Sequence, residues 1–490
     1  MKKLLIFCAL VAGEIHAAEG RPNILWLFSD DHAYQAIGAY GGRFEPLDLT
    51  PNIDRLADEG MTFDRAYVGN SICAPSRATL LTGKHSHLNG KIDNRGPFNH
   101  DQQQFQKILQ KNAYQTAMIG KIHLSGKMQG FDYWEVLPGQ GRYWDPTFVT
   151  EDGKTVYEGE HSTDVITRRA LNWLENDRDS EKPFMLMVHY KAPHRTWQPT
   201  TRWKEKFSTM TFPEPDSLFD DYEGRGTAAC LQDMTIEHTM RMEQDLKTNA
   251  SPRKEFLEEN PLTGRELVRW KYQMYMRDYL ACIAGVDENV GKLLEYLAEN
   301  GLDKNTVVMY SADQGFYLGE HGWFDKRFMY EESYRMPLLV KWPGVIEPGV
   351  RNNDLVQNID FAETFLDLAG IDAPDDMQGE SLVPLFQGDT PTDWRKHLYY
   401  HYYEYPAVHS VRRHEGVSDK RYKLIRFYGL DVPDGEEWEF FDLEKDPSEM
   451  KSAYENPAYA NEIARLKNKL IALKKKYAVV EVPQKPRGGG

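Results

Sequence analysis

Three short apolar runs, each stopped abruptly by polar residues, constrain this chain more than any other feature. Ile24-Leu25-Trp26-Leu27-Phe28 ends at Ser29-Asp30-Asp31, and Phe184-Met185-Leu186-Met187-Val188 leads towards Lys191-Ala192-Pro193-His194. Thr306-Val307-Val308-Met309-Tyr310 ends at Ser311-Ala312-Asp313-Gln314. Uninterrupted runs of this length suit strands buried on both faces, as in a parallel sheet covered by helices. Helical patterns at 162–174 and 279–297 alternate with them. That alternation predicts a doubly wound α/β domain whose ligands gather at the strand carboxyl ends. The chemistry is therefore expected in the polar clusters that stop the runs.

At 490 residues the chain has room for one large and one smaller domain. The texture changes after Phe386-Gln387-Gly388-Asp389-Thr390-Pro391, a turn-rich connection. We expect a catalytic domain over 19–386 and a C-terminal α+β subdomain over 387–482. In the latter, aromatic strand-like segments at 398–405 and 422–427 precede a helix carrying Ile463, Leu466, Leu470 and Leu473. Lys474, Lys475 and Lys476 read as its solvated end, and 483–490 as a disordered tail.

Residues 1–18 have the layout of an export signal: Lys2 and Lys3, an apolar stretch from Leu4, then His16-Ala17-Ala18. That stretch is too short to span a bilayer, so no membrane span is expected, and the mature chain is expected in the periplasm or secreted. The formal charge of −16 becomes one unit more negative once the signal is removed, which argues against nucleic acid as a partner. Any site for an anionic substrate must then be locally basic. Export leaves Cys73, Cys230 and Cys282, an odd number in an oxidising compartment. Whether the latter two pair or stay thiols is left open.

Several residues sit where chemistry would be placed. Asp30 and Asp31 are adjacent carboxylates, and Asp313-Gln314 is a second acid-plus-carbonyl pair. Either they share a hard divalent cation or the first pair caps a turn. Cys73-Ala74-Pro75-Ser76-Arg77-Ala78-Thr79-Leu80-Leu81-Thr82-Gly83 resembles the signature of type I sulfatases. Gly120-Lys121-Ile122-His123 and Lys191-Ala192-Pro193-His194 resemble further segments of that family, as does the block from Ser311 to Arg327. The resemblance runs from about Pro22 to Gly349.

It implies an alkaline-phosphatase-like doubly wound mixed sheet and hydrolysis of sulfate monoesters. Cys73 would be converted to formylglycine by a formylglycine-generating or anaerobic sulfatase-maturating enzyme. Ca2+ would be held by Asp30, Asp31, Asp313 and Gln314 together with residue 73. Arg77, Lys121 and Lys326 would oppose the sulfate charge, His123 would contact the hydroxyls of residue 73, and His194 would assist the leaving oxygen. Gln314 departs from the Asn or His common at its position, but its amide oxygen can still ligate.

Within the family, the Asp313–Arg327 block and Gly130-Phe131-Asp132-Tyr133-Trp134 resemble bacterial carbohydrate sulfatases, most of all N-acetylglucosamine-6-sulfatases. This implies a sulfated glycan as substrate and exo-acting 6-O-desulfation. Arg195, Trp197, His321 and Trp323 adjoin the catalytic motifs and are the expected sugar contacts; His401, His409 and Arg412 could reach over the pocket. The alternatives are a sulfatase for 6-sulfated galactose or N-acetylgalactosamine, a phosphonate or phosphodiester hydrolase of the same fold, and a non-catalytic glycan-binding protein.

Overall fold

A computed structural model describes residues 20–484. The expected signal at 1–18 and the tail from 485 lie outside the described residues. The three apolar runs are neighbours: strand Asn23–Ser29 lies between Thr306–Ala312 and Phe184–Tyr190, parallel to both, and every residue of the three is buried. Ile24, Trp26 and Phe28 point into one hydrophobic core, and Leu25 and Leu27 into another on the opposite face. With both faces covered, the middle of each strand is apolar.

Gln115–Lys121 extends the parallel block beside Phe184–Tyr190, and Tyr133–Leu137 follows it. Thr147–Thr150 and Gly153–Val156 close that side antiparallel. On the other side Leu338–Lys341 runs antiparallel to Thr306–Ala312, followed by Met61–Phe63 and Val350–Asn352. The result is a ten-stranded mixed sheet. The doubly wound α/β reading holds; its short edge strands left no comparable apolar signal.

Helices cover both faces. Ser162–Asn172 and the 36-residue helix Gly264–Glu299 pack over the Leu25/Leu27 side. The second begins well before the pattern at 279–297. Cys73–Thr82, with all ten residues buried, packs over the other side through Ala74, Ala78, Leu80 and Leu81.

Near the C-terminus, strands Leu398–Tyr402, His414–Ser418, Tyr422–Tyr428 and Glu436–Asp442 form the expected antiparallel sheet. Helix Ala460–Lys476 covers one face: Ile463, Leu466, Leu470 and Leu473 meet Tyr399, Val417, Leu424 and Phe440. The other face sends Tyr400, Tyr402, Ile425 and Phe427 into the same core as Trp26, so the subdomain is fused to the catalytic domain. Two terminal expectations change. Lys474 pairs with the buried Glu415 at 2.7 Å rather than standing wholly in water. Pro483 and Gln484 are tied down, the former accepting from Arg413 and the latter from the Leu430 amide.

Leu466 is fully buried in the subdomain's own core. Leu466→Ala is expected to cost about 2–5 kcal/mol in urea unfolding; a cost under about 1 kcal/mol would show that this helix does not hold the sheet.

Candidate active site

The carboxyl ends of four parallel strands deliver the polar clusters to one place. Asp30 and Asp31 follow Asn23–Ser29, Asp313 and Gln314 follow Thr306–Ala312, Lys121 ends Gln115–Lys121, and Lys191 follows Phe184–Tyr190; all are buried. Gly120 is required just before Lys121: its φ is +110°, and a Cβ there would meet the His189 carbonyl oxygen at 2.0 Å. Asp31 turns the chain at φ +66°. Tyr279 fixes that turn by donating to the Asp31 carbonyl at 2.7 Å and accepting from the Ala33 amide at 2.9 Å. The turn leads to no side-chain cap, since the short 3-10 helix Tyr34–Ala36 has none. The acids face inward instead.

Cys73 comes from the opposite direction, as the first residue of helix Cys73–Thr82 after the extended Ile72. Pro75 fits the first turn, where its missing N–H costs nothing. Gly83, at φ +63°, ends the helix with its amide bonded to the Thr79 carbonyl. Residue 73 thus sits at the positive end of a helix aimed at the strand ends. Ser76 Oγ donates to the Asp313 carbonyl at 2.5 Å and accepts from Asn358 at 2.9 Å, which fixes the first turn.

Ligand atoms of Asp30, Asp31, Cys73 and Asp313 lie within 4.8 Å of one another. Burial pushes Asp31 up to about 7, against the pull of Lys326 and with help from Asp313. Asp313 is held below the usual carboxylate range: burial opposes this, but Arg77, Lys326 and Lys121 outweigh it. Burial also pushes the Cys73 thiol well up, so as a thiol this residue is a poor nucleophile.

The donor set fits a hard divalent cation. It offers three carboxylates and an amide oxygen, and both Asp31 Oδ2 and Gln314 Oε1 are buried without a hydrogen-bond partner. The Gln314 amide nitrogen donates to Asp31 Oδ1 at 2.5 Å and to Asp313 Oδ1 at 2.9 Å. Rotating that amide would present its oxygen to the same point.

The expected catalytic residues converge. Lys326 Nζ contacts Asp31 Oδ1 at 2.5 Å and Cys73 Sγ at 3.4 Å. Lys121 Nζ bonds Asp30 and Gln140. His194 Nε2 is 3.7 Å from Asp31 Oδ2, and its Nδ1 bonds the Arg195 carbonyl. His123 lies past its strand end at φ +54° rather than on a strand, with Nδ1 buried and unpartnered. Burial, then Lys121 and Arg77, push it down to about 2.

Arg77, expected to oppose the sulfate charge, is held by the acids themselves. Its Nε reaches Asp313 Oδ2 and its Nη2 reaches Asp30 Oδ1, both at 3.3 Å, while Nη1 donates to the Lys121 carbonyl at 2.6 Å. It binds the acids and the strand ends.

The expected sugar contacts fare differently. Arg195 forks onto Asp245 at 2.8 and 2.5 Å and approaches His409 Nε2 at 3.5 Å. Trp323 is fully buried, stacked on Tyr222, Phe328 and Tyr330, so it is core and not a platform. His321 is equally buried, bonded to Arg225 at 2.9 Å and Asp220 at 3.0 Å. Trp197 packs on Tyr275 with ring centroids 4.4 Å apart and has no exposed face. These three sit next to catalytic motifs in sequence but point into the core.

Of the three residues expected to reach over from the subdomain, only His409 does so, with Nε2 3.3 Å from Asp325 Oδ2. His401 bonds Tyr399 and Tyr428 within its own sheet, and Arg412 bonds Thr227. The structure adds groups that the sequence reading passed over. Gln140 holds Lys121, and Lys191, lowered to about 8 chiefly by burial, stands 4.7 Å over the Tyr143 ring. Asp325 and Arg327 flank Lys326, and Arg327 Nε donates to Asp325 Oδ1 at 3.0 Å. The run of three consecutive charged residues, Asp325-Lys326-Arg327, was the available signal. Cys230 and Cys282 are both free, the first exposed and the second buried.

Comparison with known proteins agrees with this geometry. The sulfatase family model matches residues 22–371, and a model for the C-terminal part of N-sulphoglucosamine sulphohydrolase matches residues 319–476. The chain is 49% identical to the N-acetylglucosamine-6-O-sulfatase of Bacteroides thetaiotaomicron over 93% of this chain and 87% of the relative. It is 29% identical to human N-acetylglucosamine-6-sulfatase over 79% of this chain and 68% of the relative. The solved structure of BT4656 in complex with its substrate D-glucosamine-2-N,6-O-disulfate superposes with a TM-score of 0.89 at 47% identity, covering 94% of this chain and 98% of that one. A phosphonate monoester hydrolase of Agrobacterium radiobacter, at 20% identity, TM-score 0.71 and coverage of 93% and 96%, shares the fold. The sheet is thus that of the alkaline-phosphatase-like sulfatases, and the family generally uses formylglycine and a divalent metal. This chain belongs to the sulfatase family and is a sulfuric ester hydrolase.

Proposed function

We propose that this sulfatase removes the 6-O-sulfate from terminal N-acetylglucosamine-6-sulfate residues of sulfated glycans, after export from the cell. One observation carries the chemistry: residue 73, the acid cluster and Lys326 meet within contact distance at the strand ends. The sugar rests on the relatives above, whose names or bound substrate specify a 6-sulfated glucosamine.

Asp30, Asp31, Asp313 and Gln314 would hold calcium, which supplies positive charge at the sulfate and at the hydroxyls of residue 73. Oxidation of Cys73 by a maturation enzyme to formylglycine, hydrated in water, supplies two geminal hydroxyls in place of a poorly ionised thiol. The chain's residues do the rest. The helix 73–82 aims its positive end at the nucleophile. Lys326, touching both Asp31 and Cys73, is placed to oppose negative charge as the sulfate is attacked, and Lys121 does so from the neighbouring strand end. Both are already buried and held by acids, so they need not reorganise during the reaction. His194 presents Nε2 because Nδ1 is engaged by the Arg195 carbonyl, which orients the ring for proton exchange with the leaving oxygen. Arg77 favours the ionised form of Asp313 and ties Asp30 in place.

Cys73→Ser is expected to fold but to lose multiple turnover, since serine offers one hydroxyl and cannot expel the product through a second; sustained turnover near the wild-type rate would contradict the mechanism. Calcium is expected to raise the melting temperature of chelator-treated protein, by an amount equivalent to about 2.7 kcal/mol at a hundredfold excess over Kd. Asp313→Asn should lose most of that shift; an undiminished shift would remove Asp313 from the metal site. In a panel of positional sulfated monosaccharides, N-acetylglucosamine-6-sulfate should be the preferred substrate. Preference for 6-sulfated galactose or N-acetylgalactosamine, or for a 2-O- or 4-O-sulfate, would overturn the sugar assignment.

A further inference from the structure

His194 stands beyond the end of strand Phe184–Tyr190, so the sheet alone does not fix its ring. Its main chain is held at two points. The amide donates to the Lys191 carbonyl at 3.0 Å, and the carbonyl accepts from the Tyr143 hydroxyl at 2.6 Å. The ring is held by Nδ1 on the Arg195 carbonyl. A carbonyl only accepts, so Nδ1 carries the hydrogen and Nε2 is the atom left to face the leaving oxygen. Turning the Arg195 peptide would therefore turn the ring or break its bond.

What holds that peptide comes from a segment distant in sequence. Asp245, wholly buried, accepts from Arg195 Nε on Oδ1 at 2.8 Å and from Nη2 on Oδ2 at 2.5 Å. A two-bond fork of this kind fixes the plane of the guanidinium as well as its distance. Two residues on, Lys247 Nζ bonds the Trp197 carbonyl. Residues 245 and 247 thus grip 195 and 197, one through a side chain and the other through the backbone. The gripping segment is itself anchored. Asp245 Oδ2 accepts from the Arg241 amide at 2.8 Å, and Lys247 pairs with Asp278 at 3.0 Å. Arg253 donates to Asp278 at 2.9 and 2.7 Å and to the Leu246 carbonyl at 2.8 Å. Asp278 belongs to the helix Gly264–Glu299, which packs on the sheet. A chain of charge-assisted bonds therefore ties the His194 ring to the core.

We propose that Asp245 is a positioning residue for the reaction: through the Arg195 fork it fixes the carbonyl that orients the His194 ring, and so aims Nε2 at the leaving oxygen. This role rests on the one given to His194 above, and it gives Arg195 a task inside the protein instead of on the sugar. Arg195 Nη1 stays outside the fork, 3.5 Å from His409 Nε2. A sugar contact through Arg195 would therefore show in KM, whereas a misaimed His194 shows in kcat.

The test is a double-mutant cycle on kcat and KM, run with whichever sulfated monosaccharide the wild-type enzyme prefers, so an error in the sugar assignment does not touch it. His194→Ala should lower kcat by about 10²–10⁴-fold, the range of general acid–base catalysis. Asp245→Asn keeps the side chain's size and one acceptor oxygen. It should lower kcat by about tenfold or more, the scale of a small misplacement, with KM changed by less than about twofold. In the His194→Ala background it should cost nothing further. An unchanged kcat in Asp245→Asn, an equal loss in both backgrounds, or a raised KM with kcat kept overturns the positioning role. Wild-type kcat in His194→Ala defeats the role given to His194 and this one with it; that single variant tells the two failures apart. Should Asp245→Asn not fold, Lys247→Met, which releases the Trp197 carbonyl, takes its place in the cycle with the same readings.

Discussion

The guanidinium of Arg77 is the joint on which the site depends. Through its three nitrogens it reaches Asp30 at the end of one strand, Asp313 at the end of a second, and the Lys121 carbonyl at the end of a third. It is 2% exposed and lies 5.0 Å over the Phe28 ring. Removing one partner from a buried ion pair costs about 3–5 kcal/mol, because the charge left behind has neither water nor counter-ion. Here the loss would leave two carboxylates stranded, so the position of residue 73 and the arrangement of the acids are coupled through one side chain four residues along the helix.

That coupling explains why the centre can hold so much charge in a dry place. Asp30, Asp31 and Asp313 are opposed by Arg77, Lys121 and Lys326, yet Asp31 still has its carboxyl raised to about 7. The protein's own cations do not fully repay the burial of that third acid. A dication at the unpartnered Asp31 and Gln314 oxygens would do so. Cation, carboxylate and lysine form one balanced system, poised for an anionic group to enter.

Much of this was legible because the constraints are local. A strand covered on both faces is mostly apolar until near its end, so the sequence marks where Asp30, Lys191 and Asp313 emerge. The nucleophile's segment carries Pro75, Ser76 and Arg77 at fixed offsets because one helical turn must present all of them. Orientation was not legible. Trp323, His321 and Trp197 adjoin site residues along the chain, but neighbours in a loop point in opposite directions, and these three point into the core. Conversely His409, over eighty residues from Lys326, enters the site because the C-terminal sheet is fused to the main core through Tyr400 and Phe427. Long-range contacts of that kind leave no periodicity. Arg77 was found by its motif, but its partners required the sheet.

The account depends on a thiol that never acts as one: burial pushes the Cys73 thiol well up, so it stays protonated. Peptide mass spectrometry of residue 73 in fully active enzyme tests this most directly. The account requires an aldehyde, or its hydrate, at that position, in proportion to specific activity. Full activity from protein in which the residue is entirely an unmodified cysteine would contradict it.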